Sequence, residues 1–561
     1  MNTIKTIASI LAVAALLAPA SLAKEKTTTI NVIPYPSSVE ITKGSFNARG
    51  AQFNCDAAMD ELSRKAVSTF AIRLSKACGK TCTLASPVGI AKNAREGKVK
   101  GFAFYVDPAL GSEEYTLSIT PKAVIVSASD ANGFIYAVQT IKQLLPAEIY
   151  GRCAAPDNTN WRIPCMEIKD APRFPYRGAH LDCVRHFFSV DEVKRYIDVM
   201  SFYKLNRLHW HLTDDQGWRI ELQRYPELTL VGAFRNGTMV ARDFDSDDGI
   251  RYGGYYTRAQ INDVIRFARE RGITIIPEVD LPGHMLAALA TYPELGCGTG
   301  PYEVWKRWGV SDQVLNVGRE EVMVFLENVL GEVAEIFPSE YIHIGGDECP
   351  KKEWKENPDC QAKIRELGLK DDEKGTAEQK LQNYVTLRMQ KFLESKGKKI
   401  IGWDEILEGE LQSGATVMSW RGAEGGITAA NAGFNVIMTP TSHCYIDYYQ
   451  AKDREHEPLA FDGYVPVEKV YSFNPVDKIN PDMQHHILGA QVNLWTEYIP
   501  SDQQLEYMLL PRLLAISEVG WCAPEVRDFE RFRQTVITHE FPILDIAGYN
   551  YCKEILKEAA E

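Results

Sequence analysis

Residues 341–348 read Tyr-Ile-His-Ile-Gly-Gly-Asp-Glu. The first four suit a short buried strand, the glycines allow a sharp turn, and the turn exposes two adjacent carboxyls, Asp347 and Glu348. Upstream, Glu320–Phe337 carries apolar residues at helical spacing. Downstream, Thr376–Lys396 does the same before a second apolar run, Ile400–Trp403, which again ends on acids, Asp404 and Glu405. Strand, loop, helix and strand in that order are the unit of a parallel sheet.

The same alternation extends both ways. Candidate strands run over Arg177–Leu181, Arg207–Leu212, Thr274–Val279, Tyr341–Ile344, Ile400–Trp403, Thr416–Trp420, Val436–Thr439 and Leu488–Trp495. Helical stretches separate most of them, among them Val190–Tyr203 and Arg258–Arg271, with a short one near Ile427–Ala432. Leu505–Val519 follows the last strand as a single predicted helix. Eight strands alternating with helices over about 350 residues predict a (β/α)8 barrel, an α/β fold. Long connections follow the second, third and seventh strands, and loops of that length in a compact domain are usually functional.

Before the barrel the pattern differs. Tyr115–Ile119 and Ala123–Ala128 flank Pro121-Lys122 as a hairpin, while Leu62–Ala77 and Asn132–Leu145 carry helical spacing, so residues 24–170 predict a small α+β domain. Residues 171–525 are assigned to the barrel and 526–561 to a helical segment packed on it. Residues 1–23 read as an export signal: Lys5, an apolar run from Ile7 to Ala18, and Ser21-Leu22-Ala23 at the cleavage site. The apolar run is short for a bilayer span, so the expected location is periplasmic or secreted, without a membrane span. A formal net charge of -13 with no dense Lys/Arg stripe argues against a nucleic-acid partner.

The chemistry-bearing residues gather at the C-terminal ends of the strands, where barrel enzymes place their sites. In order these are Arg177 and Asp182; His209, His211, Asp214, Asp215 and Arg219; Glu278, Asp280 and His284; Asp347 and Glu348; Trp403 and Glu405; Trp420; Tyr445 and Asp447; Trp495 and Glu497. Carboxyls interleaved with aromatic platforms suit a neutral, polyhydroxylated ligand. Its hydroxyls meet Asp, Glu and Arg, and its C–H faces meet Trp. Sugar cleavage also needs an acid to protonate the leaving oxygen. His209-x-His211 with His284, Asp214 and Asp280 has the composition of a metal-ligand set, but that rival leaves the tryptophans and the Asp347-Glu348 pair unexplained. A glycan-binding protein without catalysis is the other rival, and the presence of Glu348 speaks against it.

Arg177-Gly-x-x-Leu-Asp182, His211-Leu-x-Asp214-Asp215, Pro277-Glu-x-Asp-x-Pro-Gly-His284, His343-Ile-Gly-Gly-Asp347-Glu348, Gly402-Trp-Asp-Glu405 and Trp495-x-Glu497 together resemble glycoside hydrolase family 20, the exo-acting β-N-acetylhexosaminidases. The resemblance runs in order across the barrel, and the preceding α+β domain fits it. It implies substrate-assisted cleavage of terminal β-linked N-acetylglucosamine or N-acetylgalactosamine from a glycan, with no cofactor and no metal. Glu348 would be the general acid/base, and Asp347 would orient the acetamido N–H. Tyr445 would bond the acetamido oxygen, and Trp403, Trp420 and Trp495 would wall its methyl group. Arg177, Asp447 and Glu497 would hold ring hydroxyls, with Asp214 and His284 forming a relay behind Glu348. His209, Asp182, Asp215, Arg219 and Glu278 are candidates either to support these groups or to serve the fold alone, with the structural role favoured for each.

Overall fold

The computed structural model describes residues 29–409, 411 and 413–559, so the predicted export signal lies outside the described residues. Eight parallel strands close into a barrel: Tyr176–Asp182, Arg207–His211, Thr274–Glu278, Tyr341–His343, Lys399–Trp403, Thr416–Ser419, Asn435–Met438 and Ile487–Val492. Each strand pairs in register with the next, and the last closes on the first through Gly489 opposite Tyr176. The helices between them bury an apolar stripe against the barrel wall. In Glu320–Ile336, for example, Val322, Phe325, Leu326, Val329 and Val333 face inward at i, i+3, i+4 and i+7 spacing. Thr257 and Thr376 cap the N-termini of Arg258–Arg269 and Ala377–Ser395 with capping boxes.

One predicted helix is divided. Leu505–Val519 is two helices, Asp502–Leu509 and Arg512–Trp521, separated at Pro511. Proline has no N–H for the helix ladder and its ring collides with the preceding turn, so the periodicity continues while the helix does not.

The N-terminal part is a seven-stranded mixed sheet with Ser38–Asn47 and Thr83–Leu84 at its edges. Helices Glu61–Cys78 and Ala131–Gln143 cover it, and Tyr115–Ile119 pairs antiparallel with Ala123–Ala128. Its last strand, Arg162–Asp170, runs almost directly into the first barrel strand. At that junction buried Lys204 meets Asp170 at 2.9 Å, and Trp521 Nε1 donates to the same carboxyl at 2.8 Å. Among the described residues, no helix is long and apolar enough to cross a membrane.

Candidate active site

At the C-terminal mouth of the barrel lies a cavity of about 330 Å³ whose walls draw on several strand ends. Asp347 and Glu348 enter it from the fourth strand, Trp403 from the fifth and Trp420 from the sixth. Tyr445 and Asp447 follow the seventh strand, and Trp495 and Glu497 the eighth. The eighth strand ends at Val492, so Trp495 and Glu497 stand on the loop beyond it.

The turn after the fourth strand explains how two adjacent carboxyls share one cavity. Gly345 and Gly346 have φ of +62° and +101°, and Glu348 itself sits at φ +47°, a conformation rare for a non-glycine residue. A side chain at Gly345 would collide with Asp280, its Cβ falling 1.8 Å from Oδ1. The same Asp280 oxygen accepts the Gly346 N–H at 3.0 Å. The left-handed backbone thus replaces the alternation of a strand, in which successive side chains oppose each other.

Behind the pair, His284 Nε2 lies 3.7 Å from Glu348 Oε2 and 3.9 Å from Asp347 Oδ2. On its other side Nδ1 lies 3.1 Å from Asp214 Oδ1 and 3.2 Å from Asp215 Oδ2. Burial opposes charge on His284, but the charge of Asp214 and the close approach of Asp214, Asp215 and Glu348 hold its pKa well above the usual imidazole range. The interaction with His284, 3.7 Å away, draws Glu348 below its ordinary value against the opposing effect of burial. Asp347 moves the other way. Burial raises its pKa, the attraction of His284 opposes this, and the charges of Glu278 and Glu348 add to the rise.

The cavity walls are fixed by hydrogen bonds at their outer edges. Trp403 Nε1 donates to Glu278 Oε1 at 2.9 Å and Trp420 Nε1 to Glu405 Oε2 at 3.0 Å. Trp403 and Trp495 meet at 5.9 Å between ring centroids, and Trp420 stacks on Tyr445 at 6.1 Å. Inside this frame Asp347 Oδ1, Asp447 Oδ1 and Glu497 Oε2 are buried without a hydrogen-bond partner. Burial pushes Asp447 well above the carboxylate range and Glu497 up to about 7. Orphaned buried oxygens of this kind are acceptors waiting for donors.

Arg177 is not in the cavity, which corrects its assignment as a sugar ligand. It is the second residue of the first strand, and its side chain turns toward the N-terminal domain. There it donates to Glu113 Oε2 at 2.9 Å, the Phe174 carbonyl at 2.8 Å, the Lys204 carbonyl at 2.9 Å and Tyr136 Oη at 3.0 Å. At about 3.3 Å per residue, five residues separate it from the strand end by about 16 Å. The arginine at the site is Arg185, three residues past the strand end. It lines the cavity, with Nη2 at 2.8 Å from Asp214 Oδ2 and Nη1 at 3.3 Å from Asp182 Oδ2 and 3.8 Å from Glu497 Oε1. The motif reading stopped at Asp182 and missed it. It also missed Trp308, Phe244, Val310 and Phe461, which the long connections bring to the cavity, and Tyr498, which follows Glu497 after the eighth strand.

Asp214 and His284 stand behind the wall, in the relay just described. Glu278 with His209 and His343, and again with His180 and His211, places ligand-type atoms within 4.8 Å of one another, as do Asp214, Asp215 and His284. These sets have metal-like spacing, but both ring nitrogens of His211 already face carboxylates, Glu278 at 2.5 Å and Asp214 at 3.0 Å.

Residues 174–524 match the glycosyl hydrolase family 20 catalytic domain, and residues 29–171 match family 20 domain 2. The chain is 41% identical over 533 residues to a beta-hexosaminidase of Porphyromonas gingivalis, which covers 93% of this chain and 64% of that protein. A beta-hexosaminidase of Vibrio furnissii is 38% identical, over 74% of this chain and 66% of that protein. The chain therefore spans a little under two thirds of the length of both. Among solved structures, the family 20 beta-N-acetylhexosaminidase of Streptomyces coelicolor superposes with a TM-score of 0.79 at 30% identity, over 93% of this chain and 97% of that one. A Streptomyces plicatus N-acetyl-beta-hexosaminidase in complex with Thio-NAglucal gives a TM-score of 0.78 at 31% identity, over 93% of this chain and 96% of that one.

Proposed function

The chain belongs to glycosyl hydrolase family 20, and from that premise we propose that it is an exo-acting β-N-acetylhexosaminidase. It removes terminal β-linked N-acetylglucosamine or N-acetylgalactosamine from the non-reducing end of glycans, outside the cytoplasm, with residues 1–23 serving as the export signal. The observation that carries the reading is the set of buried, partnerless oxygens of Asp347, Asp447 and Glu497 in a cavity walled by Trp403, Trp420 and Trp495. An N-acetylated sugar supplies an amide N–H, several hydroxyls and apolar ring and methyl faces, one for each feature of that surface.

In the proposed reaction the 2-acetamido oxygen attacks the anomeric carbon while Glu348 protonates the departing glycosidic oxygen, and the C–O bond breaks to leave an oxazolinium ion. Asp347 accepts the acetamido N–H and balances the positive charge growing on the ring. Tyr445 donates to the acetamido oxygen and the tryptophans hold the methyl group, so the nucleophile is positioned before reaction. Glu348 then takes a proton from water as that water attacks the same carbon, and the acetamide re-forms. In the empty site Glu348 is held ionised by His284. That state serves the second step. A sugar stripping water from its 45% exposed side chain shifts it toward the protonated form needed for the first. Arg185, charged and paired with Asp214, meets ring hydroxyls in the role first assigned to Arg177.

Aryl β-glycosides with and without the 2-acetamido group test the proposal. The plain glucoside is expected to be almost inert, and fresh product from the acetamido substrate to be the β-anomer by proton NMR, because two inversions restore the configuration. Rapid cleavage of the glucoside, or an α-anomer as first product, overturns it.

A further inference from the structure

Resting on that reading of the site, we propose that Glu278 is a positioning residue which fixes two separate parts of the catalytic apparatus at once: the Trp403 wall through Oε1, and the relay to Glu348 through Oε2. It ends the third strand, is fully buried, and is not among the residues that line the cavity. Oε1 accepts the Trp403 indole N–H at 2.9 Å. Oε2 accepts from His211 Nδ1 at 2.5 Å. From there the path runs His211 Nε2 to Asp214 Oδ2 at 3.0 Å, Asp214 Oδ1 to His284 Nδ1 at 3.1 Å, and His284 Nε2 to Glu348 Oε2 at 3.7 Å.

The chemistry of the partners dictates a carboxylate here. An ionised carboxylate only accepts hydrogen bonds, so His211, with a carboxylate on each nitrogen, carries both ring protons and is an imidazolium. His209 also faces this carboxylate: its Nδ1 accepts from Gln491 at 3.1 Å, so its hydrogen is on Nε2, which lies 3.0 Å from Glu278 Oε2 without hydrogen-bond geometry. Donors therefore face both Glu278 oxygens. A glutamine offers one acceptor oxygen, and its NH2 has to face either the indole N–H or the imidazolium, donor against donor. Burial of the ion is offset by the attraction of the histidines around it, His343 and then His211, which hold Glu278 well below the usual carboxylate range. One buried anion thus couples the shape of the acyl pocket to the orientation of the acid.

The test uses the full-length enzyme and aryl glycosides varied in two ways: the 2-acyl group as acetyl, propionyl or butyryl, and the phenol from good to poor leaving group. Glu278→Gln is expected to lower the kcat/KM preference for acetyl over butyryl at least fivefold. It should also lose at least tenfold more rate on poor leaving groups than on good ones. A second variant, His211→Gln, cuts the relay arm and removes one edge contact with Trp495 but leaves the Trp403 bond to Oε1 in place, so leaving-group sensitivity should steepen while the acyl preference falls less than in Glu278→Gln. A uniform loss across all substrates in Glu278→Gln, or only one of its two effects, overturns the proposal. If Glu278→Gln does not fold, unchanged leaving-group sensitivity in a folded His211→Gln overturns it alone. Wild-type indifference to the 2-acylamino group would instead sink the reading of the activity.

Discussion

The exchange of roles between Arg177 and Arg185 gives a prediction with opposite outcomes for one chemical change. At position 185, lysine keeps the charge but loses the planar fork that meets Asp182, Asp214 and Glu497 together. A hydrogen bond to a charged group is worth about 1.5–3 kcal/mol. At about 1.4 kcal/mol per decade, losing one such bond to the reacting sugar lowers kcat/KM by about 10- to 150-fold. At position 177, an ammonium cannot reach Glu113, Tyr136 and the carbonyls of Phe174 and Lys204 at once. Two buried carbonyls left without a donor cost about 1–3 kcal/mol each. Arg177→Lys should therefore lower the urea midpoint clearly while kcat/KM per folded molecule stays within about twofold, since nothing in the cavity has changed. Initial rates on an aryl N-acetylglucosaminide and urea titrations of both variants decide the matter. A large kcat/KM loss in folded Arg177→Lys, or wild-type kinetics in Arg185→Lys, refutes the assignment.

Two further predictions concern charge. Glu348→Gln should keep the fold and lose most turnover, least on phenols that depart without a proton; near wild-type cleavage of natural-type glycosides would remove Glu348 from the acid role. By linkage, stability should rise as pH falls from about 8 toward about 5. Burial lifts Glu192 and Glu497 to about 7 and Glu405 and Glu540 to about 8, so the folded chain binds protons that the unfolded chain releases, and stability rises as pH falls through that range. Burial depresses His186 and His209 to about 4 from 6.5, so below 6.5 proton uptake by these two in the unfolded chain slows the rise set by the four glutamates, and stability falls once pH drops below the unfolded glutamate value. His211, which the charge of Glu278 pushes up to about 10 despite burial, loses its contribution as pH rises from 6.5 to 10. Melting temperatures across pH 4–9 test this, and a maximum above pH 8 would contradict it.

What the sequence made legible follows from what periodicity encodes. A barrel strand buried on both faces reads as a short apolar run, and a helix on its outside as a 3.6-residue stripe, so the (β/α)8 order is written locally. The predicted Leu505–Val519 helix failed at Pro511 because periodicity records which face is buried but not whether the backbone ladder continues. The same limit explains Arg177. It lies within the run that defines the first strand, so the motif included it, yet a strand has two ends and only the C-terminal one faces the cavity. Distance along the strand would have excluded Arg177, and extending the search three residues past Asp182 would have found Arg185.

The remaining gap has a different cause. Phe244, Trp308 and Val310 reach the cavity from the long connections after the second and third strands, where position depends on contacts between loops rather than on spacing within one. Arg307 shows the dependence: its Nε donates to the Phe244 carbonyl at 2.7 Å, and its Nη1 lies 3.3 Å from Asp247. One arginine from the loop after the third strand thus holds the hairpin that follows the second strand. Neither loop's sequence alone specifies that meeting. The acids and tryptophans at the strand ends need no such partner, because the barrel itself converges them. The geometry of the barrel therefore locates the strand-end carboxyls and tryptophans, while the rim around them is set by tertiary contacts between loops.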